Sequence, residues 1–180
     1  ELTGASCSPS TAQWTWDTYA LANGTGRAMT LEGDKNWFFL TVDYTFGHAL
    51  EADTSAAVES AGGTVAGKIM HPRETSDFSS YLLQAQASGA DVIALANSSG
   101  DTMTALKQAE EFGITAAGQD IAGMLLFLTD VHGVGLEIAQ NLKLTTAFYW
   151  DMNDDTRAWS QRFADRMDGK MPTMVHAGVY

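Results

Sequence analysis

The run Trp37-Phe38-Phe39-Leu40-Thr41-Val42 is apolar without interruption except for Thr41, and it stops at Asp43. Tyr44-Thr45-Phe46-Gly47 follows, after which His48 to Ser60 takes on helical spacing and composition. A short continuous apolar run bounded by a polar residue is the mark of a strand covered on both faces. Such a strand belongs in a parallel sheet, and in open α/β sheets ligands are met outside the carboxyl ends of the strands. The same device recurs at Leu95-Ala96-Asn97-Ser98-Ser99-Gly100-Asp101 and at Leu126-Phe127-Leu128-Thr129-Asp130. Three loops of this kind on one sheet edge describe a binding face.

Around these loops the chain alternates strand and helix signals. Thr11 to Met29 carries Trp14, Tyr19, Leu21, Ala22 and Met29 on a broken apolar stripe and is expected to be a helix. Strands are expected at 36–42, 64–70, 91–96, 121–128 and 142–148. Helices are expected at 48–61, where Gly62-Gly63 ends the pattern, and from a Thr75 or Ser76 cap to Ala87, with Phe78, Leu82, Leu83 and Ala85 inward. Further helices are expected at 101–112 with Met103, Leu106 and Phe112 inward, at 131–139, and at 155–167 with Trp159, Phe163 and Met167 at i, i+4, i+8. Strands separated by helices imply right-handed crossovers, and so a doubly wound α/β architecture: a mostly parallel sheet of about five strands with helices on both faces. Residues 1–35 read as a connecting segment and first helix, and 36–180 as an α/β ligand-binding lobe. Met171-Pro172-Thr173 looks like a helix start, so the lobe is expected to be truncated at its C-terminus.

The gross numbers exclude some functions. The 180 residues are 45% hydrophobic, enough to bury a core of ordinary size. Ten basic residues against 22 acidic ones give a net charge of −12, a field that repels nucleic-acid phosphates and anionic lipid heads; nucleic acid is not an expected partner. No apolar run approaches the roughly 20 residues that span a bilayer. Cys7 is the only cysteine, which rules out a disulfide within these 180 residues; it reads as a small half-buried residue or as one whose partner is expected on sequence outside this stretch or on another chain. His48, His71, His132 and His176 lie in separate segments without metal-ligand spacing, so surface or capping roles are expected and neither metal nor cofactor is. The phosphate-loop, dinucleotide, nucleophile-elbow and zinc-protease motifs are all missing from the sequence. Asp43 and Asp101 read as caps of the helices that follow them, with acid/base roles as the competing reading. Trp14 is expected to pack on the sheet and Trp150 to pack on the hinge side.

The segments FFLTVDYTFGHALE, SDFSSYLLQAQASGADVIALANSSGDT, LKQAEEFGI, LLFLTDVHG, FYWDMNDDTRAWSQRF and MPTMVHAGVY together resemble the periplasmic substrate-binding proteins of ABC importers, in particular the branched-chain amino acid (leucine/isoleucine/valine-type, class I) family. The resemblance implies a two-lobed receptor, not an enzyme, that closes on a small ligand and hands it to an ABC transporter permease in the periplasm. This chain would supply mainly the second lobe, with the connecting segment at its front. An exposed cleft face on such a fragment would favour self-association.

Site residues carry over position by position. The family's tyrosine-glycine pair after the first strand of this lobe is matched by Phe46-Gly47, with Tyr44 and Thr45 beside it. The loop after the third strand corresponds to Asn97-Ser98-Ser99. The carboxylate that holds a ligand ammonium corresponds to Thr129-Asp130, and His132 follows at a place suited to a ligand carboxylate. Asp130 as ammonium partner implies an amino acid ligand; Asp130 as helix cap implies an aromatic or other organic acid, and the sequence leaves both open. A ligand-sensing regulatory domain and a small α/β enzyme using Asp43, Asp130 and His132 are the competing functions.

Overall fold

The computed structural model describes residues 4–179, and the chain divides into two compact units, residues 18–145 and residues 1–17 with 146–180. The larger unit opens with α1 (Thr18–Leu21), a π-helical stretch Ala22–Arg27 and α2 (Ala28–Glu32). It continues through β1 (Asn36–Val42), α3 (Thr45–Ser60), β2 (Thr64–His71), α4 (Ser79–Ala87), β3 (Val92–Ala96), α5 (Ser99–Glu111), β4 (Asp120–Gly123) and α6 (Leu128–Val134). All strand pairings are parallel, in the order β2-β1-β3-β4. The doubly wound α/β class inferred from alternation is therefore the observed one.

Strand β1 occupies an interior position, as its pattern requires. Trp37 to Val42 are all buried. Alternation along the strand turns Phe38 and Leu40 into a core shared with Phe78 and Leu82 of the α4 region, Ile93 and Leu95 of β3, and Leu106 of α5. It turns Trp37, Phe39 and Thr41 the other way. Thr41 Oγ1 donates to the buried Glu51 carboxylate of α3 at 2.7 Å, and Glu51 also receives Lys68 Nζ of β2. Edge strand β2 alternates between exposed and partly buried positions until His71, which is fully buried. Asp91 ties the strand starts together, its Oδ2 accepting the Lys35 and Asn36 amides at 2.9 and 2.8 Å.

Several expected boundaries differ. The helix expected from Thr11 begins at Thr18, and Trp14 lies 75% exposed in the preceding segment, not packed on the sheet. Neither Thr75 nor Ser76 caps α4: its N-cap is Phe78, which makes no side-chain cap bond, while Asp77 Oδ1 accepts the Ser79 amide at 2.9 Å and Thr75 Oγ1 turns back to the Pro72 carbonyl. Leu83 and Phe112 are exposed where inward positions were expected. The long apolar run from Ile121 is strand only to Gly123, where the Leu126 side chain folds over the position a Cβ would take. Its burial comes from packing in an irregular turn. The helix expected at 131–139 ends at Val134, where Gly135 adopts a φ of 92°. The fifth strand reduces to one parallel bridge, Ala122 to Lys143, so the sheet has four strands among the described residues.

In the smaller unit, α7 (Asp154–Ala164) starts at Asn153, whose side chain accepts the Thr156 amide at 3.0 Å while Thr156 Oγ1 accepts the Asn153 amide at 3.0 Å. Phe148, Trp159, Phe163 and His176 form a chain of ring contacts at 5.3, 5.8 and 5.1 Å. Met167 falls beyond the helix and is 46% exposed. The helix start expected near Pro172 is observed as α8 (Met174–Val179). Cys7 is exposed, against the half-buried expectation. No helix among the described residues is long and apolar enough to cross a membrane.

Candidate functional site

Parallel strands end on one edge, and there the larger unit holds a cleft of about 480 Å³. Its lining is drawn from the ends of three adjacent strands: Val42 and Tyr44 after β1, Arg73 to Ser76 after β2, and Ser98 to Gly100 after β3, with Asp101 and Thr104 from the first turns of α5. The chain reaches this arrangement through close backbone approaches. At Gly47 a Cβ would collide with the Val42 carbonyl, so only glycine lets α3 start this near the end of β1. Glu74 and Ser99 face the cleft at φ of 60° and 54°, a left-handed conformation costly for side-chain-bearing residues. Strain of this kind persists only where surroundings hold it.

The surroundings do hold it. Asp101 accepts the Thr75 amide at 3.0 Å and the Glu74 amide at 3.2 Å, pinning the segment after β2 to the start of α5. Beneath the cleft lies a buried relay of side chains. His71 Nδ1 stands 2.8 Å from the Pro72 carbonyl, which can only accept, so Nδ1 carries the proton. In the neutral ring Nε2 is then an acceptor, and it meets Asn97 Nδ2 at 3.1 Å. Asn97 Oδ1 in turn accepts from Thr102 Oγ1 at 2.7 Å. His71, Asn97 and Thr102 are all fully buried, and Phe78 stands edge-on to the imidazole at 4.8 Å. Burial holds the His71 pKa below its ordinary value of 6.5, while the Pro72 carbonyl and Asp101 pull the other way without prevailing.

The cleft lining carries one cation, Arg73, beside two carboxylates, of which Asp101 is taken up by the Thr75 and Glu74 amides. The Arg73 guanidinium sits 5.2 Å over the Tyr44 ring, an arrangement that leaves the edge N–H groups of the fork free for a ligand. No carboxylate pairs with Arg73 among the described residues. Across the cleft, Ser98, Ser99 and Gly100 open a 13-residue helix whose first amides lack intrahelical partners, and Ser98 makes no side-chain cap bond. Tyr44 offers an aromatic wall 37% exposed.

Of the residues singled out from sequence, Tyr44, Ser98 and Ser99 are brought together in this cleft. Thr45 and Phe46 belong to the first turn of α3 and do not line it, although Phe46 packs 6.0 Å from Tyr44. Asn97 is buried beneath the cleft, not on its surface. Thr129, Asp130 and His132 lie on α6 outside the lining, and Asp130 Oδ2 accepts the Phe127 amide at 2.9 Å, which is a helix-capping contact. Neither Asp43 nor Asp101 caps the helix that follows it: Asp43 Oδ1 bonds His48 Nε2 at 2.9 Å, and Asp101 serves the segment after β2. His71, expected at a surface or cap, is a core residue. Sequence reasoning missed Arg73, Glu74, Thr75 and Ser76. The rule applied to the other strand ends would have found them, because β2 ends immediately before them.

A family model described as "Periplasmic binding protein" matches residues 1–180. Among solved structures the chain is similar to a periplasmic binding protein of Burkholderia mallei, 48% identical with a TM-score of 0.91, over 98% of this chain and 47% of that one. A branched chain amino acid ABC transporter periplasmic ligand-binding protein of Burkholderia xenovorans is 37% identical, with the same TM-score and the same coverages. A solute binding protein of an R. palustris ABC transporter, solved in complex with benzoate, shares the fold at 20% identity and a TM-score of 0.81, over 96% of this chain and 47% of that one. The chain thus spans about half the length of these solved relatives. No curated protein matches it.

Proposed function

The chain belongs to the periplasmic binding protein family, and from that premise we propose that the protein it forms part of is a solute receptor of an ABC importer, resident in the periplasm and docking on a transporter permease. The solute is a small carboxylate, held between this lobe and a second one that closes over it. The observation that carries the ligand class is the facing pair formed by Arg73 and the unpartnered amides at the start of α5. A carboxylate takes paired N–H groups from a guanidinium fork and from helix N-terminal amides. Tyr44 supplies a wall for an apolar or aromatic body, and Ser98 and Ser99 supply hydroxyls.

Within that class an organic acid without an ammonium, such as an aromatic acid, fits better than an amino acid. The residue aligned with the family's ammonium partner, Asp130, spends an oxygen on the Phe127 amide and lies outside the cleft lining. The solved relative that binds benzoate is consistent with this preference, whereas the more similar branched-chain amino acid relative sets leucine as the comparison ligand. The test is calorimetry on the full-length protein with benzoate and with leucine. Arg73→Ala should weaken carboxylate binding by about tenfold or more, the loss of a charge-assisted contact, while Arg73→Lys restores part of it. Tight leucine binding that is indifferent to Arg73 would sink the organic-acid assignment. Recovery of the probe unchanged after prolonged incubation is expected of a receptor; its consumption would favour an enzyme.

A further inference from the structure

The cleft has two walls that share no strand: the Arg73 to Thr75 segment continues from β2, and the Ser98 to Gly100 segment continues from β3. These strands are not neighbours, since β1 lies between them. Two side-chain links join the walls: Asp101, which accepts the Thr75 and Glu74 amides, and beneath the cleft the relay Pro72 carbonyl, His71, Asn97, Thr102. Every hydrogen in that relay is assigned, and the assignment works only with a neutral imidazole. A second proton on Nε2 would confront the Asn97 amide donor with another donor.

We infer that His71 is a positioning residue for the cleft: its neutral ring, through Asn97, helps hold the Arg73 wall in register with the Ser98 wall, and protonating it loosens that coupling to the Asp101 link alone. This rests on the reading of the cleft as the ligand site, though the wall coupling itself does not need a ligand. The groups facing the ring from each packed element are Asn97 from the end of β3, Asp101 and Thr102 from α5, and Tyr81 of α4 at 6.1 Å between rings. From its own segment comes the Pro72 carbonyl, and the Asp43 amide donates to the His71 carbonyl. Of these, Asp101 favours the protonated ring, and full burial of the ring opposes it. Neutral pH therefore leaves the relay intact and acid breaks it. The ring's ordinary value is 6.5 and its folded value lies lower, so the loosening sets in below about pH 6.5 and not above it.

The experiment uses the full-length protein, with the His71 ring followed by nitrogen NMR between about pH 7.5 and pH 5. In parallel, amide exchange at 73–76 and 98–100 is corrected for its intrinsic pH dependence, and benzoate affinity is measured at each pH. As the ring charges, exchange on both walls should rise about tenfold and affinity should fall about tenfold, the worth of one buried hydrogen bond. Asn97→Asp should reverse the sign, because a carboxylate bridges to the charged ring, so affinity should then be lost as pH rises. A purely structural His71 would give no such reversal. The inference is overturned if the ring protonates while both walls keep their protection, which would mean that Asn97 turns its amide over in place. It is overturned equally if Asn97→Asp leaves the direction of the pH effect unchanged. Wall exchange that follows the ring as expected, with neither benzoate nor leucine binding at any pH, would overturn the ligand assignment and leave the wall coupling standing.

Discussion

Thr41 shows how one polar residue inside an apolar strand is made tolerable. Its hydroxyl meets the buried Glu51 carboxylate, which also receives Lys68, so a threonine, an acid and a lysine from three elements satisfy one another at the sheet surface. Thr41→Val keeps the shape and removes the donor; it should destabilise the chain by about 1–3 kcal/mol, the cost of a buried acceptor left short, read as a lower urea midpoint at unchanged slope. If the midpoint stays within error of the parent, solvent reaches Glu51 and the pairing contributes little. Arg73 teaches a different lesson about legibility. A lone arginine after a histidine and a proline carries no motif; only its place just beyond the end of β2 marks it, while its meeting with Tyr44 follows from β2 lying beside β1, an adjacency that local sequence does not announce. Tyr44, Ser98 and Ser99 were legible because they follow interior strands with unmistakable apolar runs. His71 was not: its burial depends on Phe78 and Asn97 arriving from elsewhere in the chain.

At the scale of elements, two helix starts with similar residues do different work. Asn153 makes a reciprocal cap with Thr156, so Asn153→Ala should cost about 1 kcal/mol of stability. Ser98 occupies the same position on α5 and makes no side-chain cap bond. Ser98→Ala should therefore leave thermal stability within about 0.5 kcal/mol while lowering affinity for a carboxylate probe in the full-length protein. A large stability loss with unchanged affinity would reassign Ser98 to the scaffold. The interior strands and their helices were readable because glycines, at Gly62-Gly63 and Gly113, and polar stops bracket them. The later strands were not, for a physical reason: apolar content from Ile121 to Leu128 reports burial, and burial is satisfied equally by a strand or by a turn packed under Leu126. Leu142 to Phe148 failed similarly, since β-rich composition does not supply a partner, and only Lys143 finds one.

For the whole molecule, the cleft is one-sided. Ligand pockets bury most of a ligand's surface, and the described lining comes from one unit alone. Benzoate should accordingly bind the 180-residue chain roughly a hundredfold more weakly than the full-length protein, because much of the contact that offsets the entropy of association is missing. Calorimetry on both proteins decides it, and equal affinities would mean that this lobe suffices. The strand order carries a further consequence, one of timing. Strand β1, with its two phenylalanines and a tryptophan, emerges from the ribosome before both of its neighbours, and β3, which closes its second edge, comes only after β2 and α4 have been made. Until then Trp37 to Val42 presents an open, hydrophobic strand edge, the feature most prone to mispairing between chains. A nascent chain of this design should depend on holdase chaperones until β3 is available, and a ribosome stalled before Val92 should display the segment in its most aggregation-prone form.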